Sequence, residues 1–122
     1  MANEITYRSK LAYAKGDSNL FDFGDLTATM AGTKALRGRQ TASTTPEALG
    51  LGEVTAAGAW FVCKNLDATN KLLVRTGTGV APLIEVQPGE TSGPFRFAST
   101  VTAPFVEASA ATADFIYLLV SA

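Results

Sequence analysis

Apolar and polar residues alternate with a period of two along much of the chain. Ile5, Tyr7 and Leu11 occupy odd positions of the first segment, and charged or small polar residues lie between them. A period of two places the two sets on opposite faces of a strand. The alternation runs over 5–13, and we therefore predict a half-buried β-strand that begins there and ends near Gly16.

The second run, 20–30, changes phase at one glycine. Phe21 and Phe23 occupy odd positions, whereas Leu26 and the apolar residues after it occupy even positions, and Gly24 lies between the two sets. A glycine inside a strand pattern often marks a bulge, because it adopts backbone conformations that other residues avoid. The pattern predicts a bulge or bend at Gly24.

The rest of the chain is divided by turn residues into short runs that fit strands. The runs 59–65 and 71–76 are separated by a Leu66-Asp67-Ala68-Thr69-Asn70 turn, which predicts a β-hairpin. The segment 44–52 fits either a short helical turn or a loop. The other predicted strands are 33–43, which has the weakest pattern, 82–86, 94–97, 101–108 and 114–121.

No window of the sequence has the helical spacing of apolar residues over three turns. Eight or nine short strands separated by turns predict an all-β fold, a β-sandwich of the jelly-roll or Greek-key kind. A length of 122 residues suits one core. We expect a single domain over 1–122, with 1–15 as an N-terminal arm or edge strand.

Two apolar features have more than one interpretation. The strand 115–120 is apolar on both faces, so it is either central in the sandwich or half covered by another subunit. Trp60 lies in a continuously apolar run, which favours the core over a binding platform. Cys63 is expected to share the face of Trp60 as a buried, inert thiol.

Composition removes several classes of function. Hydrophobic residues make up 47% of the chain and charged residues 17%, with a net charge of −1, so the chain should fold and nucleic acid is not expected as a partner. With no histidine and one cysteine, it cannot form an internal disulfide, a Cys/His zinc site, or a histidine-based triad. We assign no catalytic, cofactor-binding or metal-binding residue and expect no enzyme activity.

The sequence also gives no sign of membrane insertion or secretion. No apolar run reaches the length of a membrane span, and the first residues lack a basic segment followed by an apolar one. We therefore expect no membrane partner and synthesis in the cytoplasm, where a lone cysteine stays reduced.

Three clusters of residues could carry chemistry, and each also has a structural explanation. Gly77-Thr78-Gly79 lacks the spacing of a phosphate-binding loop and predicts a turn. Asp17, Asp22 and Asp25 could bind Ca²⁺ or form a glycosidase pair, but they lack the EF-hand register and fit a solvated strand edge better. Arg37-Gly38-Arg39, with Lys34, fits a solvated face or a contact with an acidic partner.

Two distinctive turns and an apolar strand occur in a fixed order. An N-L-D-x-T-N turn lies inside 61–74, a P-G-E turn inside 85–90, and an apolar strand, 113–120, closes the chain. With the segment that leads into them from Lys34, they make the region 34–120 resemble small structural proteins of tailed bacteriophage particles. The resemblance rests on turns and strand patterns, not on catalytic residues.

This resemblance implies a non-enzymatic virion protein, specifically a head decoration or cement protein. Such a protein would bind the major capsid protein, form a homotrimer and lie on the outer surface of the phage head. The alternative is a receptor- or carbohydrate-binding module of a tail or head fibre. A third class, an enzyme that uses Asp17, Asp22 or Asp25, would need turnover of a glycan or ester substrate.

Overall fold

The computed structural model describes residues 5–15, 17–28, 30 and 32–121. Within these ranges all regular secondary structure is β-strand, and the predicted all-β class is confirmed. There are ten strands where eight or nine were predicted. They are β1 (Ile5–Lys15), β2 (Asp17–Ala28), β3 (Ala35–Ser43), β4 (Glu47–Ala48), β5 (Trp60–Asn65), β6 (Leu72–Arg75), β7 (Pro82–Val86), β8 (Phe95–Arg96), β9 (Phe105–Ala108) and β10 (Thr112–Val120).

The chain divides into two compact units, Met1–Ala31 and Gly32–Ala122. The first unit contains β1 and β2, which pair antiparallel as a hairpin. The second contains the other eight strands in two four-stranded sheets. The sandwich is therefore formed by strands after residue 32, and the expectation of one domain over 1–122 stays a prediction.

The eight strands of the second unit form a jelly roll. β3 pairs with β10, β4 with β9, β5 with β8 and β6 with β7, so the chain forms one long ribbon whose two halves run antiparallel. The ribbon is rolled up, because β10 also pairs with β5 and β9 also pairs with β6. The resulting sheet orders are β3–β10–β5–β8 and β4–β9–β6–β7. This double-sheet arrangement of eight strands confirms the predicted sandwich type.

The core lies between these two sheets and is built mainly from alternate residues of β5, β6, β9 and β10. Phe115 and Leu119 of β10 are fully buried, as are Leu72 and Val74 of β6 from the opposite sheet. Aromatic rings pack around Phe61, whose centroid lies 5.3 Å from that of Phe97. Such rings contribute large apolar areas to a small core, which is the main favourable term in folding.

The predicted bulge in the first hairpin is confirmed. Arg8 lies opposite Asp25 and Lys10 opposite Asp22, so one residue of β1 faces two residues of β2 between these pairs. Gly24 lies at this irregularity with a φ of 70°, a conformation that glycine adopts without strain. Because of the extra residue, Phe23 and Leu26 lie on the same face of the hairpin although their positions differ in parity.

One local prediction needs correction. β5 and β6 do not form a hairpin: they belong to different sheets, and β6 pairs with β7 instead. Both strands bury apolar residues, and placing them in opposite sheets lets those residues meet across the core. Of the two alternatives for segment 44–52, the structure shows the loop, which contains the two-residue strand β4.

The loop between β5 and β6 is held by a buried asparagine. Asn65 has no solvent exposure. Its amide nitrogen donates to the carbonyls of Asn70 at 2.8 Å and Val86 at 3.0 Å, and its carbonyl oxygen accepts from the backbone N–H of Asp67 at 2.9 Å. Val86 belongs to β7, so this side chain ties the end of one sheet to the other.

Candidate interaction face

The outer face of the β3–β10–β5–β8 sheet combines an apolar centre with a cationic rim. Antiparallel register places Leu118 between Arg37 and Val62, and Ile116 between Arg39 and Lys64. Side chains directly opposite each other in neighbouring strands lie on the same face of the sheet. We call this surface the basic face and define it by Arg37, Arg39, Trp60, Val62, Lys64, Arg96, Ile116 and Leu118.

The apolar centre of the basic face is open to solvent. Ile116 is 42% exposed and Leu118 39% exposed, although both belong to a strand in the middle of its sheet. A shallow groove of about 270 Å³ runs between Arg37 and Lys64, with Val62, Ile116 and Leu118 among its lining residues. Contiguous apolar surface rimmed by polar groups is characteristic of interaction sites. Of the two interpretations of 115–120, the central position is confirmed, because β10 lies between β3 and β5. Its outer half is uncovered in the described residues, and coverage by another subunit stays a prediction.

Most cations of the basic face have no acidic partner. Arg39 pairs with Asp114 at 2.9 Å, and this carboxylate also accepts a hydrogen bond from Thr41. The Thr41 hydrogen bond, followed by that of Arg39, holds the pKa of Asp114 below its usual range. In the described part of the chain, Arg37, Lys64 and Arg96 form no ion pair. A face with three unneutralised cations in a chain of net charge −1 favours an acidic counterpart.

Trp60 lies on this face, so its predicted place in the core is wrong. The residues of β5 that point inward are Phe61, Cys63 and Asn65, and Trp60 alternates with them on the half-buried outer side. The Arg96 guanidinium lies over its ring, 5.4 Å from the ring centroid, and donates to the carbonyl of Gly58 at 3.1 Å. This cation–π contact holds one of the cations beside the apolar centre.

Cys63 is buried, as predicted, but on the opposite side of β5 from Trp60. The two residues are three positions apart, and an odd separation in a strand places side chains on opposite faces. Cys63 is 2% exposed, and burial raises its pKa to about 11. A thiol in this state is largely protonated at neutral pH and a poor nucleophile.

The acidic cluster of the hairpin lies in an ion-pair network. Arg8 pairs with Asp22 and approaches Asp25 at 3.6 Å, and the backbone N–H of Gly24 donates to Asp22 at 2.9 Å. The Arg8 hydrogen bond, followed by that of Gly24, lowers the pKa of Asp22. A general acid needs a raised pKa, so this geometry does not suit glycoside hydrolysis. The side chain of Asp17 lies outside the described part of the structure.

The other two clusters lie on the basic face and in a turn. Of the basic stretch, Arg37 and Arg39 lie on the basic face, Gly38 faces inward beneath Tyr117, and Lys34 pairs with Glu53 at 3.1 Å. The segment 77–79 forms the turn between β6 and β7, as predicted, and Gly79 has a φ of 70°. Neither cluster brings catalytic groups together.

The outer face of the β4–β9–β6–β7 sheet differs from the basic face in how its charged side chains are paired. Arg75 of β6 donates to Glu107 of β9 through Nε at 3.0 Å and Nη2 at 2.5 Å. Lys71 pairs with Glu85 at 3.3 Å. The charges of this face are therefore neutralised within the sheet, in contrast to those of the basic face. Sequence reasoning missed this contrast because it depends on which strands are neighbours.

The described residues contain no group of three or more His, Cys, Asp or Glu side chains arranged to hold a metal ion. They also contain no helix able to cross a membrane.

Comparison with known proteins gives limited information. No protein-family model matches the chain. No curated protein matches it either. Among solved structures, it is similar to a chain of Bacillus endospore appendages, described as a novel family of disulfide-linked pili, with 12% identity and a TM-score of 0.45, covering 80% of this chain and 98% of the other. A likeness at this TM-score and identity supports no argument about function.

Proposed function

We propose that this chain is a non-enzymatic structural protein of a tailed-phage particle that binds the assembled head through its basic face and stabilises it. The observation that carries the proposal is the basic face itself, an exposed apolar centre with unpaired cations around it. Burial of Ile116 and Leu118 would supply affinity, and the cations would select an acidic surface.

The fold and the resemblance support the phage assignment. Jelly rolls are common in viral capsid proteins, although a fold alone does not determine function. The two turns that carry the resemblance also form turns in the structure. In the first, the Asp67 carboxylate accepts the backbone N–H groups of Thr69 and Asn70 at 2.9 and 2.6 Å. In the second, the N–H of Glu90 donates to the carbonyl of Gln87 at 3.0 Å. The expected partner is the major capsid protein.

The proposal is tested by binding of purified protein to expanded heads that lack it. A variant with Arg37→Gln and Lys64→Gln removes two cations of the basic face. A matched control, Lys34→Gln with Lys71→Gln, removes two cations that already have carboxylate partners, so both variants carry the same net charge. We expect roughly tenfold or greater loss of head binding for the first variant only. Equal binding by the two variants would contradict the proposal.

Stabilisation is tested separately on whole particles. A protein that binds the assembled shell but not its separate subunits stabilises the shell by mass action. Particles without the protein should assemble and then release their genome at a lower temperature than complete particles. If they are equally heat-stable but fail to attach to cells, the receptor-binding alternative replaces this proposal.

A further inference from the structure

The β1–β2 hairpin has an apolar face of its own, separate from the basic face. β1 alternates regularly, which places Ile5, Tyr7, Ser9 and Leu11 on one side. Register and the bulge at Gly24 place Phe23 and Leu26 on the same side. We call these six residues the apolar ribbon face.

This face presents large hydrophobic side chains to solvent. Leu11 is 76% exposed, Phe23 66% and Leu26 38%. A two-stranded hairpin has no second layer of its own and is marginally stable in water. Strands of eleven and twelve residues with such a face gain stability when another surface covers it.

Charge distribution indicates what covers it. The ionised side chains near the middle of the hairpin, Arg8, Lys10, Asp22 and Asp25, lie in facing pairs on the opposite side. Arg8 neutralises Asp22 there through a direct ion pair. The apolar ribbon face itself contains no residue that is charged at neutral pH. Two copies of this face can therefore approach without repulsion between like charges.

The basic face has the opposite property. Its unpaired cations, Arg37, Lys64 and Arg96, would meet the same cations if two basic faces packed together. Like charges brought together in a contact oppose association. Of these two surfaces, the ribbon face is the one suited to contact with itself.

We infer that the apolar ribbon face is the self-association surface of this protein, and that its occupant is the same face of a second copy. Packing of ribbon on ribbon supplies the missing layer, about 10 Å away, as in any stacked pair of sheets. The inference is independent of the proposed head binding, which uses a different surface.

The first test measures the mass of the full chain by analytical ultracentrifugation. Wild type should be oligomeric at micromolar concentration. The variant Leu11→Asp with Phe23→Asp should become monomeric, because association would bury new carboxylates. The control Thr6→Asp with Ala12→Asp adds the same charge to exposed positions on the other side of β1 and should keep the wild-type mass. A monomeric wild type, or an oligomeric ribbon-face variant, would overturn the inference.

A second test does not depend on destabilising the hairpin. Ser9→Cys places a thiol in the apolar ribbon face, and Thr27→Cys places one on the opposite side. Cys63 is buried and should not interfere. Under mild oxidation, we expect covalent dimers at least tenfold faster for Ser9→Cys than for Thr27→Cys, with a rate that saturates once the oligomer forms. Equal rates for the two variants would contradict ribbon-to-ribbon packing.

Discussion

At the scale of single residues, Gly38 shows how a local pattern hides a packing requirement. In the sequence it stands between two arginines in the segment with the weakest strand pattern. In the structure it lies under the ring of Tyr117, and a Cβ at Gly38 would lie 2.7 Å from Cζ of that ring. Tyr117 donates to the carbonyl of Gly50 at 2.6 Å, so the ring cannot move without disturbing this bond. The glycine is required by a partner that is distant in sequence.

Substitution Gly38→Ala should therefore destabilise the sandwich. The new methyl group must displace the Tyr117 ring, and overpacking of this kind typically costs about 1–3 kcal/mol. Urea unfolding of the full chain measures the change. Gly77→Ala is the control, because a Cβ there meets only Val80 Cγ2 at an ordinary 3.5 Å. A loss no larger than that of the control would show that Tyr117 accommodates the methyl group.

Asp67 gives a residue-scale prediction for pH. Backbone donors from Asn70 and Thr69 lower its pKa in the folded state. A carboxyl group with a lowered folded pKa contributes stability above its unfolded pKa, about 3.9, and this contribution is lost as the pH falls through the folded value. The stability difference between wild type and Asp67→Asn should be present at pH 6 and shrink below pH 4, measured by urea unfolding. A difference that stays constant across this range would contradict this role. Asp22 shifts in the same direction in both proteins and cancels in the comparison.

At the scale of elements, the sequence predicts strands well and their neighbours poorly. The alternation around Tyr7 and the phase change at Gly24 are local properties, and both are confirmed. The predicted hairpin of β5 and β6 is wrong, because a short turn gives a hairpin only when both strands remain in one sheet. Here the apolar residues of the two strands, such as Cys63 and Val74, lie in opposite sheets of one core. The basic face could not be predicted for the same reason, since it joins Arg37, Leu118 and Val62 from three distant segments.

The link between the sheets at Asn65 gives a prediction at this scale. Asn65→Ala leaves the carbonyls of Asn70 and Val86 and the N–H of Asp67 without their partner. The bond to Val86 is buried and the other two are partly buried. A buried polar group that loses its hydrogen bond costs about 1–3 kcal/mol, so the variant should lose about 2 kcal/mol of unfolding free energy. Asn70→Ala is a milder control, because the side chain of Asn70 donates to one carbonyl, that of Thr112, in an exposed position. Equal losses for the two variants would argue against a special role of Asn65.

At the scale of the whole molecule, two exposed apolar surfaces differ in charge and therefore in partner. The apolar ribbon face is uncharged, which suits contact with a second copy. The basic face contains unpaired cations, which suits an acidic surface on another protein. An oligomer that presents several basic faces would bind a shell at several points at once, and linkage makes later contacts effectively intramolecular. Weak individual contacts can then give firm attachment, as a structural protein of a particle requires.

Salt concentration should separate these two kinds of contact. The Debye length falls from about 10 Å at 0.1 M to about 3 Å at 1 M, so added salt weakens attraction between charged surfaces. Burial of apolar area does not depend on this screening. From 0.05 to 0.5 M NaCl, head binding should weaken by roughly tenfold or more, whereas the mass of the free oligomer should stay constant. Co-sedimentation with heads and ultracentrifugation of the free protein measure the two quantities.

The Arg37→Gln, Lys64→Gln variant should bind heads weakly, and its binding should depend less on salt, because fewer charges remain to be screened. If salt dissociates the oligomer and leaves head binding unchanged, the roles of the two faces are reversed.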